Sequence, residues 1–301
     1  MANAGAPLSD LLADAVEAAG RSVVRVEARR RRPASGIVWS ADGTIVAAEH
    51  AVQDEEHIRV ALPDGREVPA TLLGRDPSTD IAALRVDAPG LAAAEWRDVG
   101  ALRVGHLVLA LARPGRTVRA RIGIVSALGQ NWRTPHGGQL AHYLEPDVEP
   151  APGFSGGPLV DVAGQVLGLN TAGLLRGTIV TVTAPTLRRV VDSLRAHGRI
   201  RRGYLGVAAH AVRLPLALAG QLQQNTGLLV IAVEPGGPAE RAGVLLGDTV
   251  VAIDGQPVTR LDDLMGLLGE DRIGASVSVR VLRAGQVQDI PVVVGERGLA
   301  A

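Results

Sequence analysis

EPAPGFSGGPLVD, residues 149–161, places a single hydroxyl, Ser155, among glycines and prolines and runs at once into an apolar strand. Glycine gives up backbone entropy on folding and packs no side chain, so such a run destabilises the chain unless its backbone geometry is needed. Two geometries fit. One is an ordinary turn between strands. The other is a sharp bend that presents a hydroxyl beside bare backbone N–H groups, aimed where negative charge develops.

The sequence around this stretch favours β-structure. From Ser22 to Ala184 short strands follow one another with turn signals between them. SVVRVEA (22–28) alternates, GIVWS and TIVAA flank Asp42-Gly43, and IRVAL and REVPATLLG flank Asp64-Gly65, a strong hairpin signal. IAALRV, LVLALA, RIGIVSAL, GPLVDV and QVLGLNTA complete the series. Regular strands with no long helix between them predict an all-β barrel or sandwich. PTLRRVVDSLRAHG (185–198) then predicts a helix. Pro185 suits its first turn, Leu187, Val190, Val191 and Leu194 share a face, and Gly198 can cap its end.

RIRRG (199–203) reads as an exposed linker to a smaller unit of mixed α and β. That unit holds the strand LLVIAV, a short helix PAERAG and a hairpin turning at Asp254-Gly255. A helix carrying Leu261, Leu264, Met265 and Leu268 follows, then a hairpin at Ala284-Gly285. Before Ser22, Leu8, Leu11, Leu12 and Val16 suit one amphipathic helix. The expected domains are therefore an N-terminal helical segment (1–21), a β domain (22–199) and a second domain (200–298).

With 301 residues the chain is long enough for two cores, and with aromatics at 2% those cores must be aliphatic. A formal net charge of zero argues against nucleic acid, and the run Arg29–Arg32 reads as a solvated turn. The absence of cysteine excludes disulfides, thiolate catalysis and thiolate metal sites. No metal constellation or phosphate-cradling loop stands out, so no cofactor is expected. The first twenty residues lack a basic flank and are interrupted by Asp10, Asp14 and Glu17, which predicts neither a secretory signal nor a membrane span. The expected location is cytoplasmic.

A serine hydroxyl needs a base within hydrogen-bond reach. Of seven histidines, His50 alone ends an apolar strand, TIVAAEH, and is presented at the edge of a core. A base needs a carboxylate to fix its tautomer, and Asp80 stands directly before IAALRV, whereas Asp76 belongs to the preceding turn. Each residue alone has a plain structural reading, as a strand-end histidine, a turn aspartate or a turn serine. In the order His50, Asp80, Ser155 across a β unit, they match the triad order of chymotrypsin-type barrels.

TIVAAEHAV, GRDPSTDIAALRV and PGFSGGPLVD resemble the His, Asp and Ser segments of the HtrA/Deg serine proteases. RIGIVSALG and QVLGLNTA resemble that family's framework, and the C-terminal unit resembles its PDZ domain. The resemblance implies a mostly β fold: a chymotrypsin-like double β-barrel followed by a smaller α+β PDZ domain. It implies an ATP-independent serine endopeptidase acting on unfolded or exposed polypeptide segments in protein quality control. His50, Asp80 and Ser155 would be catalytic, and the N–H groups of Gly153 and Ser155 would form the oxyanion hole. Phe154 stands where the family usually has Asn, beside the specificity pocket, and the stretch Ala172–Ala184 is shorter than the family's loop. Thr171, Ala172 and Gly173 would pair with an extended substrate backbone.

In the second domain RGYLGV resembles the loop that receives a C-terminal carboxylate. Tyr204 would start it, Leu205, Gly206 and Val207 would be donors, and Leu264 and Leu268 would be groove wall or ordinary core. The resemblance also implies a homotrimer, although MANAGAPLSD lacks the family's aromatic contacts, and a periplasmic or extracellular setting. The alternative from another class is a peptide-holding chaperone or scaffold that cleaves little.

Overall fold

The computed structural model of the protein describes residues 5–28 and 33–296, so the arginine run 29–32 lies outside the described residues. The chain divides into two compact units, Met1–Ile200 and Arg201–Ala301.

The first unit begins with helix α1 (Gly5–Gly20). Strands β1 (Val23–Glu27), β2 (Ala34–Val38), β3 (Thr44–Ala48), β4 (Arg59–Ala61), β5 (Glu67–Asp76) and β6 (Ile81–Val86) follow. They close into a barrel in the order β1-β2-β3-β6-β5-β4, because β1 pairs with both β2 and β4. Closure leaves no unpaired edge, and Val24, Val26, Ile45, Val60 and Leu84 fill the interior. Strands β7 (Leu107–Ala112), β8 (Arg119–Arg133), β9 (Gln139–Pro146), β10 (Pro158–Val160), β11 (Val166–Thr171) and β12 (Val180–Thr183) form a second sheet, ordered β12-β11-β10-β7-β8-β9. This sheet curls until its outer strands meet, with His142 Nδ1 on β9 at 3.3 Å from Thr183 Oγ1 on β12.

Helix α2 (Ala184–His197) buries Leu187, Val190, Val191 and Leu194 in a core shared by both sheets, as its periodicity predicts. Burying each such side chain stabilises the fold by roughly 1.5–3 kcal/mol. Gly198, at φ +69°, ends the helix and donates its N–H to Leu194 O at 2.9 Å. The sequence reading stops β8 at Leu128 and leaves residues 139–146 unassigned. The structure instead extends β8 to Arg133 and pairs it with β9. Their faces mix Gln, Asn, His and Tyr with partly buried Trp132, so the apolar alternation that marks a strand is diluted.

In the second unit β13 (Gly203–Tyr204) pairs with β20 (Gly295–Glu296). The main sheet runs β14 (Val207–Arg213), β15 (Thr226–Val233), β16 (Thr249–Ile253), β18 (Ser276–Arg283), β19 (Gln286–Val293), with β17 (Gln256–Pro257) on β16. Helices α3 (Leu216–Leu222), α4 (Pro238–Arg241) and α5 (Leu261–Leu267) join these strands. Leu228, Ile253, Val277, Val279 and Val281 form the core. Beside it Asp248, 2% exposed, accepts a fork from Arg283 (2.8 and 2.7 Å) and the Leu245 N–H at 2.7 Å. Burial opposes its ionisation, but those donors outweigh burial and hold the carboxyl below the usual carboxylate range. Among the described residues no helix is long and apolar enough to cross a membrane.

Candidate active site

The fully buried strand β3 runs into a single 3₁₀ turn, Glu49–Ala51, which carries His50 out of the first barrel. Asp80 sits in the turn between β5 and β6 at φ +56°, a left-handed backbone that costs a non-glycine residue about 1 kcal/mol or more. The surrounding bonds hold it there. The Asp76 carboxylate accepts the Ser78 N–H (3.1 Å), the Ser78 hydroxyl (2.5 Å) and the Thr79 hydroxyl (2.6 Å). From the β8–β9 hairpin, the Thr134 hydroxyl donates to Ser78 O at 2.6 Å.

His50 binds Asp80 twice. Its backbone N–H donates to Oδ1 at 2.8 Å, and its Nδ1 lies 2.7 Å from Oδ2. A third donor, the Thr171 hydroxyl at the end of β11, also reaches Oδ2. A carboxylate only accepts, so Nδ1 carries the proton and Nε2 is left as the basic nitrogen. The Asp80 side chain is 5% exposed and that of His50 33%, which puts the carboxylate inside and the imidazole at the cleft.

Ser155 lies on the loop between β9 and β10, stitched to β11 by Gly156 N to Asn170 O and Asn170 N to Gly157 O, both 2.8 Å. Its hydroxyl oxygen accepts the Ala172 N–H at 3.4 Å. The segment Thr171–Gly173 therefore touches all three groups: Thr171 binds Asp80, Ala172 binds Ser155, and Gly173 lies under the histidine. A Cβ on Gly173 would stand 2.5 Å from Asp80 Oδ2 and 2.7 Å from His50 Nδ1, so only glycine lets the strand pass. Among the described residues no hydrogen bond joins His50 to Ser155.

The bend asked for by the sequence is present. Gly153 adopts φ +86°, and a Cβ there would meet Pro114 Cβ at 2.6 Å. Among the described residues neither the Gly153 N–H nor the Ser155 N–H donates to a protein acceptor. Phe154 turns inward, 4% exposed in the core of the second sheet, with the Arg121 guanidinium 5.3 Å over its ring. Arg119, Ala120, Arg121, Ala151, Pro152 and Phe154 line a cleft of about 440 Å³ beside this loop.

In the second unit the carbonyls of Leu205 and Gly206 accept the N–H groups of Ala239 (2.7 Å) and Glu234 (2.8 Å). On β13 Tyr204 pairs with Gly295 of β20, and Val207 opens β14 opposite Val233. Leu264 and Leu268 are both buried in the same core as Leu205, which leaves them little wall to offer and makes them pocket floor at most. Among the described residues no group of three or more His, Asp or Glu is placed to hold a metal ion.

Sequence reasoning gave Thr171 a role through its backbone and overlooked its hydroxyl. The available signal was a threonine closing a mainly apolar strand, VLGLNT, where a buried hydroxyl needs a partner. Ser35, which donates to the Gly153 and Ser155 carbonyls, was also overlooked.

The trypsin-like peptidase domain model matches residues 34–169 and the PDZ domain model residues 203–294. A protein of Halomonas elongata named "Probable periplasmic serine endoprotease DegP-like" is 36% identical over 273 residues, covering 89% of this chain and 57% of the relative. A protein of the same name from Pseudomonas putida is 35% identical over 87% of this chain and 55% of its own length. The chain thus spans little more than half the length of these curated relatives. Among solved structures, "HtrA-type protease AlgW with decapeptide" superposes with a TM-score of 0.78 at 30% identity, over 95% of this chain and 99% of that one. The serine endoprotease from Yersinia pestis gives 0.76 at 29% identity, over 95% and 98%. The relatives are named periplasmic, which overturns the expected cytoplasmic location and points to the periplasm.

Proposed function

The chain belongs to the HtrA/Deg family of serine proteases, and on that premise we propose that it is a serine endopeptidase cleaving unfolded or exposed polypeptide segments. The observation that carries this reading is the convergence of His50, Asp80 and Ser155 on Thr171–Gly173.

Substrate lies extended along Ala172 and Gly173. As substrate binds, Ser155 exchanges its Ala172 contact for His50 Nε2. Nε2 takes the hydroxyl proton as Oγ attacks the carbonyl carbon. Asp80 stabilises the imidazolium through Nδ1 and stays ionised, while Thr171 keeps its carboxylate in place. The carbonyl electrons move onto oxygen, where the Gly153 and Ser155 N–H groups receive them. His50 then returns the proton to the leaving amine, and water repeats the sequence to release the acyl group. The cleft beside Phe154 is floored by an aromatic ring already occupied by Arg121, and it takes a substrate side chain next to the scissile bond.

In the second unit, the N–H groups at Leu205, Gly206 and Val207 receive a C-terminal carboxylate, with Leu264 and Leu268 beneath the last side chain. Docking there delivers or regulates substrate, in a setting of protein quality control. The chaperone alternative is the less supported, since both comparisons lead to proteases.

Incubation with a reduced, unfolded protein substrate tests the reading. Wild type is expected to fragment it while Ser155→Ala leaves it intact. Fragmentation that persists in Ser155→Ala would remove the assignment.

A further inference from the structure

Resting on the reading of Ser155 as nucleophile, we infer that Ser35 is a positioning residue. It is a buried hydroxyl of the first barrel that holds the oxyanion loop of the second in its donor conformation. Ser35 lies on β2 and is 0% exposed. It grips that loop twice. Its N–H donates to the Ser155 carbonyl at 3.2 Å, and its hydroxyl donates to the Gly153 carbonyl at 2.7 Å.

These two carbonyls belong to the peptide planes on either side of the one that carries the Ser155 N–H. Tying both to one buried residue of β2 restrains the stretch between them, and with it the Ser155 N–H. The need is greatest at Gly153, whose missing side chain gives the peptides around it little resistance to rotation. A flipped peptide would put a carbonyl oxygen where an oxyanion requires a donor.

The direction of the Ser35 bond is itself set. Arg113, just after β7, donates its backbone N–H to the Ser35 oxygen at 2.8 Å, so the hydroxyl proton is directed to Gly153. Arg113 is anchored in turn by its guanidinium, which donates to the carbonyls of Val23 (2.6 Å), Arg116 (2.8 Å) and Gly20 (2.9 Å). The next residue, Pro114, is the one that packs on Gly153. One chain of bonds thus runs from the end of α1 and the start of β1 to the oxyanion loop.

Ser35→Ala removes the hydroxyl and takes this partner from the half-buried Gly153 carbonyl and the buried Arg113 N–H. Because the loop acts on the transition state and not on the bound substrate, kcat is expected to fall about 10- to 100-fold. That is less than the ~10²–10³ seen when an oxyanion donor is deleted outright. KM should stay within about threefold. A peptide aldehyde, whose adduct with Ser155 places an oxygen in the hole, should lose affinity in parallel with kcat. A merely structural role would not separate these readouts.

Ser35→Cys keeps the side-chain volume but donates weakly, and it gives the same pattern should Ser35→Ala fold poorly. A folded variant of either kind with wild-type kcat, or with unchanged aldehyde affinity, would overturn the assignment to Ser35. An unreactive wild type would instead defeat the reading of Ser155, which is a different result.

Discussion

Gly153 and Ser155 in the first unit, and Leu205 and Gly206 in the second, share one arrangement: their carbonyls are held from behind, and their N–H groups are proposed to face an anion. The braces differ. In the second unit both carbonyls are held by backbone, the N–H groups of Ala239 and Glu234. In the first, one brace is backbone and the other is the hydroxyl of Ser35, from a strand 118 residues away in the sequence. A backbone brace survives almost any substitution, whereas a hydroxyl brace is lost by removing one atom. The first unit also adds charged and hydroxyl side chains, His50, Asp80 and Thr171, to its donors. The difference follows from the tasks proposed. Holding a carboxylate needs donors alone, while breaking an amide also requires proton transfer and an oriented base.

The largest effect should separate the two regions completely. Ser155→Ala or His50→Ala is expected to lower kcat on the order of 10⁶-fold, and Asp80→Asn roughly 10⁴-fold. The affinity of the second unit for a C-terminal peptide, read by fluorescence anisotropy on the full chain, should stay within twofold in all three. Parallel loss of both would mean that these residues act on folding and not on function. A smaller effect probes the first unit's backbone. Gly153→Ala forces a side chain into left-handed backbone against Pro114, and kcat should drop about 10²–10³-fold with the peptide affinity again unmoved. Steady-state kinetics on a chromogenic peptide would show it, and near-wild-type turnover would place the oxyanion elsewhere.

The second unit has its own test. A peptide ending in an apolar residue with a free carboxylate should bind Ser155→Ala protein about 10- to 100-fold more tightly than its amide, the usual worth of hydrogen bonds to a charged group. Equal affinities would remove the anion-binding role from Leu205–Val207 and with it the comparison.

The smallest effect concerns stability. Asp248 has a carboxyl held below its usual range, so the stability it contributes is complete above the unfolded value near pH 4 and is lost as pH falls through the folded value. Asp248→Asn should weaken the second unit by about 1–3 kcal/mol at neutral pH, measured by amide hydrogen exchange in β15 and β16. The gap from wild type should close below about pH 4. A gap that is constant with pH would contradict the ion pair with Arg283.

What could be read from the sequence follows the same line between local and distant causes. β6, β7 and α2 were legible because apolar spacing is a local signal that burial simply repeats. His50, Asp80 and Ser155 were legible because each sits in a short segment whose neighbours announce it, and because their order matched a known constellation. The β8–β9 hairpin was not, since polar and aromatic residues alternate there without a clean apolar face. Ser35 and the hydroxyl of Thr171 were not legible for a deeper reason. Their partners, Gly153 and Asp80, lie 118 and 91 residues away, and nothing beside Ser35 or Thr171 in the chain records that pairing. Phe154 shows the converse: the resemblance implies a bulky ring beside the specificity pocket, and in the structure most of that ring is buried in the second core under Arg121.

The most direct measurement is intact-protein mass spectrometry after treatment with a fluorophosphonate, followed by mapping of the modified residue. One adduct is expected, on Ser155, formed by wild type and abolished by His50→Ala. No adduct on wild type, or one that forms equally well without the imidazole, would contradict it.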